Sequence, residues 1–230
     1  MRTGLSERIV APRWLALALA IVLSAYFGWP AHALRFNESA ARAHALARYG
    51  AQGERTVQAW LAMLDAQRGQ ELARQLRNVN DFWNRTVVAS EDKAIWELED
   101  FWATPLETLG KRLGDCEDFV IGKYFSLVMS GVPPDKLRLI YVRARIGGWA
   151  DEQGIAHMVL GYYETPHSDP LVLDNLVDSI MPAGQRKDLI PVFSFNAQGI
   201  YVGGARSAPV EQITRWRRLL LRMRQEGFMP

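Results

Sequence analysis

A single cysteine, Cys116, sits among three carboxylates in the stretch Gly114-Asp115-Cys116-Glu117-Asp118. Just after it the apolar residues take helical spacing, at Val120, Tyr124, Leu127 and Val128, until Gly131, Val132, Pro133 and Pro134 stop the run. Cys116 is therefore expected in the first turn of a helix, with Asp115 as its N-cap. There the unpaired N–H groups and the positive end of the helix dipole favour a thiolate, the nucleophilic form of the side chain. The adjoining acids oppose that ionisation, because their charge repels another negative charge on sulfur. A cation or a protonated histidine among the acids would relieve the conflict. The same residues also fit a small buried thiol beside a capping box, since Asp115 and Asp118 have the spacing of one.

A nucleophilic thiol needs a base, and the chain has four histidines. His32 lies in the N-terminal segment treated below, His44 in an alanine-rich helix and His167 in a turn. His157 lies in a predicted strand, among Ile155, Ala156, Met158 and Val159. Asp174 is its counterpart, a carboxylate inside the apolar run Leu171-Val172-Leu173, where an aspartate is costly unless paired. The turn-rich residues 165–170 should pair these two strands and bring Asp174 within one or two rungs of His157. A histidine in such a strand is often an ordinary core residue. Together with Cys116, however, the pair supplies a nucleophile, a base and an orienter for that base.

The elements that must hold these residues read as helices first and strands second. Residues 40–49, 56–67 and 72–83 are rich in Ala, Leu, Arg and Gln, are punctuated by Gly50, Gly53 and Gly69, and predict two or three amphipathic helices. Residues 84–110 read as a connector anchored by buried Trp96, Phe101 and Trp102, with Thr104 and Pro105 starting a short helix over 106–109. After the cysteine helix, residues 137–146 alternate apolar side chains with Arg138, Arg143 and Arg145, which predicts a half-exposed strand. Gly147, Gly148 and Trp149 read as a loop, residues 155–164 and 171–177 as strands, and 190–195 with 200–202 as a hairpin. A closing helix over 210–224 carries Ile213, Trp216, Leu219, Leu220 and Met223 on one face. This order is that of a single α+β domain with a helical N-terminal lobe over 34–110.

Composition narrows the setting. Arg2, Arg8 and Arg13 precede a 14-residue apolar run over 14–27, and Ala31-His32-Ala33 follows. This is the pattern of a secretory signal over residues 1–33 cleaved after Ala33, leaving the domain 34–230. The run is shorter than the ~20 residues that span a bilayer, although Trp29 and Pro30 could extend it into an uncleaved anchor. Cleavage would remove three of 27 basic and one of 25 acidic residues, leaving 24 of each. A formally neutral mature chain with interleaved charges excludes a nucleic-acid stripe, and nothing in it asks for stable membrane insertion. Exported proteins tend to pair their cysteines, so a lone one is worth reading as a reactive thiol.

Five short stretches then carry a likeness: residues 102–107 (Trp-Ala-Thr-Pro-Leu-Glu), 114–118 (Gly-Asp-Cys-Glu-Asp), Lys123-Tyr124, 156–160 (Ala-His-Met-Val-Leu) and 171–175 (Leu-Val-Leu-Asp-Asn). Over residues 80–202 the chain resembles the bacterial transglutaminase-like cysteine peptidases of the LapG type. The resemblance implies a papain/transglutaminase-like core, with a cysteine-bearing helix packed on an antiparallel sheet and a C-terminal helix. It implies a periplasmic, calcium-dependent endopeptidase that clips the N-terminal region of a large surface adhesin and so controls biofilm attachment. The periplasmic domain of an inner-membrane cyclic-di-GMP receptor is the implied inhibitor. By position, Cys116 is the implied nucleophile, His157 the base and Asp174 its orienter, while Asp115, Glu117 and Asp118 are the implied calcium ligands. Three carboxylates are too few for a calcium shell, so a second loop, backbone carbonyls or waters must contribute. The Cys116 N–H and a donor near Trp102 are expected to stabilise the oxyanion. An acyltransferase or cell-wall amidase could use the same triad, and a non-catalytic periplasmic binding module could retain its residues.

Overall fold

The apolar run after Cys116 forms a helix buried on every side, and the other elements pack around it. The structure is a computed structural model and describes residues 35–145 and 154–229. The expected signal segment and the Gly147–Trp149 loop lie outside the described residues.

A two-residue strand, β1 (Arg35–Phe36), leads into α1 (Glu38–Gln67), whose N-cap Asn37 accepts a hydrogen bond from the Ala40 N–H at 3.0 Å. The two predicted helices at 40–49 and 56–67 are joined in α1 across a kink at Gly50, whose φ of 69° is open to glycine. The helix α2 (Leu72–Thr86) buries Leu76, Val79 and Trp83. The expected connector holds more order than its sequence suggests. In it β2 (Val88–Ala89) is followed by α3 (Asp92–Trp96) and then by α4 (Pro105–Lys111), which has a complete capping box between Thr104 and Glu107. A short strand, β3 (Leu113–Gly114), pairs in parallel with β2 and delivers the chain to α5 (Cys116–Met129). Of the three expected anchors only Trp102 is fully buried; Trp96 and Phe101 pack on each other at 4.7 Å and stay half-buried.

Residues 118–127 of α5 are all buried. Close approach of α2 requires Gly122, because a Cβ there would lie 2.3 Å from the Trp83 ring. One turn on, the Ser126 hydroxyl accepts the indole N–H of Trp60 at 2.8 Å and of Trp83 at 2.9 Å, and donates to the Gly122 carbonyl at 2.7 Å. The helix is thereby locked to both α1 and α2 by a satisfied polar contact in the core.

Seven antiparallel strands cover the other side. They are β4 (Leu137–Ala144), β5 (Ile155–Tyr162), β6 (Leu171–Leu173), β7 (Met181–Pro182), β8 (Leu189–Asn196), β9 (Gly199–Val202) and β10 (Ala205–Ala208), in the spatial order β10-β9-β8-β4-β5-β6-β7. Leu137, Leu139, Met158, Leu160, Leu173 and Phe195 belong to the main core with α5, while Ile140, Val142, Val159 and Val172 form a second, smaller cluster. The strand β4 was expected to be half-exposed, yet Arg138 is buried and only Arg143 reaches solvent, because β5 and β8 flank the strand and both its faces are packed. The helix α6 (Thr214–Gln225) begins four residues later than predicted, after a 3-10 turn over Val210–Gln212, and it buries Trp216, Leu219 and Met223. The final strand, β11 (Phe228–Met229), pairs with β1, so the two ends of the described chain meet. Helices and an antiparallel sheet make the α+β class expected from the sequence. Among the described residues, no helix is long and apolar enough to cross a membrane.

Candidate active site

Cys116 is the first residue of α5, with Asp115 at the N-cap in extended conformation. Asp115 makes no side-chain cap bond, so the capping-box reading of Asp115 and Asp118 gives way to the true box at Thr104 and Glu107. The half-buried thiol donates to Glu117 Oε2 at 3.0 Å and receives a backbone hydrogen bond from Met158, the residue after His157. The helix start thus brings sulfur onto the strand that carries the histidine. Burial pushes the Cys116 thiol far up, the charge and hydrogen bond of Glu117 and the charge of Asp115 add to this, and the Met158 bond opposes them. The conflict read from the sequence is present in the fold.

On β5 and just beyond β6, His157 Nε2 lies 2.8 Å from Asp174 Oδ1, and both residues are buried. The strand expected over 171–177 stops at Leu173 because Asp174 Oδ1 accepts the Leu176 N–H at 3.0 Å and bends the chain. The α2 residue Asn84 pins this bend by donating to the Asp174 carbonyl at 2.9 Å. Arg186 donates to Asp174 Oδ2 at 2.8 Å and to Asp188 at 2.6 Å. Burial alone would raise the Asp174 carboxyl, but the bonds from His157, the Leu176 N–H and Arg186 outweigh it and hold it down at about 2. A carboxylate kept ionised against one imidazole nitrogen fixes the orientation of the ring.

The acids gather into one larger cluster. Carboxylate oxygens of Asp92, Asp115 and Asp118 lie within 4.8 Å of one another, as do those of Asp92, Asp100 and Glu117. Asp92 Oδ1, Asp115 Oδ1 and Asp118 Oδ2 are buried without a hydrogen-bond partner. Burial raises all three carboxyls: Asp92 to about 6, Asp115 to about 10 with added repulsion from Asp118, Glu117 and Asp92, and Asp118 well above its ordinary range. Three orphaned hard oxygens on two separate elements fit a divalent cation such as calcium. The same acids also hold the segment before α4. The Phe101 N–H donates to Asp92 Oδ2, and the Ala103 N–H to Asp118 Oδ1 at 2.7 Å. Trp102 is fixed between them, its ring stacked on Phe195 at 5.6 Å and its buried indole N–H without a partner.

The sequence profile of the bacterial transglutaminase-like cysteine proteinases (BTLCP) matches residues 39–187. The chain belongs to this family. LapG from Legionella pneumophila is similar in structure, with a TM-score of 0.71 and 34% identity over 83% of this chain and 99% of that one. An EGTA-treated form of that protein gives 0.72 at 35% identity over 83% and 100%, and a calcium-bound form gives 0.70 at 35% over 81% and 99%. A search of curated protein sequences gave no match. The fold is that of a transglutaminase-like proteinase, and a calcium-bound relative exists.

Within this BTLCP chain the structure brings His157 and Asp174 into contact and sets Cys116 against the same strand. It places Asp115 and Asp118 together, with Glu117 turned toward both the thiol and the Asp92–Asp100 side of the cluster. Reasoning from sequence missed Asp92 and Arg186. The need for a calcium ligand from a second loop was the one available pointer to Asp92. The cost of burying Asp174 was the corresponding pointer to a cation such as Arg186.

Proposed function

We propose that the chain is an exported, calcium-dependent cysteine endopeptidase that acts through Cys116, His157 and Asp174. The observation that supports this most is the His157–Asp174 pair at 2.8 Å on the strand that also touches the Cys116 sulfur. His157 Nδ1 takes the thiol proton, and the thiolate attacks the substrate carbonyl carbon. The resulting oxyanion is met by the Cys116 N–H at the open end of α5 and by the unpartnered Trp102 indole N–H. The imidazolium then protonates the leaving amine, and water hydrolyses the thioester with His157 as base. Asp174, itself held by Arg186, keeps the ring oriented and balances the imidazolium.

Asp92, Asp115 and Asp118 would hold the calcium, with Glu117 beside them. When bound, the ion supplies positive charge that offsets the carboxylates around the thiol. Because Asp92 and Asp118 also carry the Phe101 and Ala103 N–H groups, order among these acids becomes order at Trp102.

On the resemblance to LapG-type enzymes, the substrate is the N-terminal region of a large surface adhesin. The inhibitor is the periplasmic domain of an inner-membrane cyclic-di-GMP receptor. The test is incubation of the purified protein with an N-terminal adhesin fragment from the same organism. Cleavage is expected with calcium and none with Cys116→Ala. Asp174→Asn should slow cleavage by about ten-thousandfold, less than loss of the nucleophile. Full cleavage by Cys116→Ala would remove the mechanism. Export predicts that protein recovered from the periplasm begins at Leu34 by mass spectrometry. An intact 1–33 segment in the membrane fraction would show an anchor instead.

A further inference from the structure

Away from the acids, the second apolar cluster opens into a cavity of about 360 Å³, within the size range of small-molecule sites. Ile140, Val142, Val159 and Val172 form its floor, and Val192 stands exposed at its rim. Two arginines enter this apolar surround. Arg138, 6% exposed, lies between Tyr163 and Tyr201, with its guanidinium 4.5 Å and 3.9 Å from the two ring centres. Arg186, 4% exposed, turns Nε and Nη2 to its aspartates. Arg138 Nε and Arg186 Nη1 are both buried without a hydrogen-bond partner.

The two charges differ. Arg186 is balanced by Asp174 and Asp188, whereas Arg138 forms no ion pair among the described residues. Asp169, the acid that bears on Tyr163, is tied to the Gly184 N–H at 3.0 and 3.1 Å. A buried guanidinium without a counter-charge is costly, and the two aromatic rings and a hydrogen bond with Tyr163 offset only part of that cost. The missing component is one negative charge on a planar group that matches the guanidinium fork, attached to a body that fills an apolar cavity. A single uncompensated cation matches a monoanion better than a doubly charged phosphate.

We propose that this cavity is a binding site for a small organic carboxylate with an apolar or aromatic body, its carboxylate on the guanidinium of Arg138. Its test needs no peptide substrate.

The purified chain is titrated calorimetrically with 3-phenylpropanoate, octanoate and benzoate, and with 3-phenylpropanamide as the uncharged isostere of the first. At least one acid is expected to bind saturably at millimolar concentration or below. The amide should bind about tenfold or more weakly, the scale of one lost charge-assisted hydrogen bond. Arg138→Gln should remove the preference for acid over amide. Val192→Asp, at an exposed position that leaves the core intact, should weaken acid binding by adding a like charge at the rim. Saturable binding of none of the acids, equal binding of acid and amide, or unchanged acid binding in both variants would each overturn the proposal.

Discussion

Asp174 accepts from an imidazole, a guanidinium and a backbone N–H at once, and that set of bonds keeps a fully buried carboxylate charged. Lys123 on α5 shows the opposite outcome. Its ammonium is fully buried without a hydrogen-bond partner, and burial lowers it to about 7 against the pull of Asp174, Asp178 and Asp81. In the unfolded chain the same group holds its proton until about 10.4. Between those values the unfolded state binds more protons, so stability rises with pH across that window, and below it the full cost of burying the charge remains. Lys123→Met should therefore be more stable than the parent near pH 6, and its stability curve should lack a rise of up to about 1.4 kcal/mol per pH unit between pH 7 and 9. Urea unfolding of both proteins across that range provides the check; parallel curves would show that Lys123 is not the titrating group. At this scale the sequence was readable wherever a residue was out of place. A lone cysteine, and a histidine and an aspartate inside apolar strands, were visible as anomalies. Arg186 stands in the polar stretch Gln185-Arg186-Lys187-Asp188, and Asp92 in a connector already rich in acids. Neither violates its local pattern, so neither announced the buried partner it serves.

Elements turn those residues into a site, and α5 carries most of that task. It starts at Cys116, passes under the sheet and is locked midway by Ser126 to Trp60 and Trp83. Ser126→Ala would leave two indole N–H groups in the core without an acceptor. At about 1–3 kcal/mol for each buried unmet donor, a loss of about 2–6 kcal/mol is expected in chemical denaturation. A loss below about 0.5 kcal/mol, the scale of a surface substitution, would show that the hydroxyl is not what holds the three helices. The helical periodicity of α5 was legible because it is a long apolar run between clear stop signals. The ends of β6 and α6 were not. The β6 strand stops because a side chain diverts its backbone, and α6 starts late because Val210–Gln212 wind as a 3-10 turn first. Periodicity reports which face is buried and is silent on such diversions. The connector was underread for the same reason, since β2 and β3 are two residues each and too short to show a period.

At the scale of the whole molecule, the acid cluster is where distant parts of the chain converge. Asp92 comes from α3, Asp115 and Asp118 from the start of α5, and their oxygens hold the segment that carries Trp102. From the other side, Arg222 of α6 donates to the Trp102 carbonyl and to Glu107 at 3.3 Å. Without a cation the cluster keeps three buried oxygens unpaired, a standing cost to the folded state. Calcium that binds only the folded chain should then stabilise it by about 2.7 kcal/mol at a free concentration one hundred times Kd. For a domain of this size that corresponds to a melting shift of about 5–10 °C. Chelation is expected to lower the melting temperature by that amount and to stop cleavage together, and excess calcium to restore both. Magnesium should restore little, because it demands a tighter octahedron and gives up water reluctantly. Asp92→Ala should weaken calcium binding as much as Asp115→Ala, although it lies 23 positions before Asp115 in the chain. Calorimetric melting of the parent and the two variants, with calcium and with EGTA, measures these effects without reference to any substrate. Identical melting of the parent in both conditions would leave the three acids as a costly cluster with no metal to justify it, and the thiol's ionisation would need another source of positive charge.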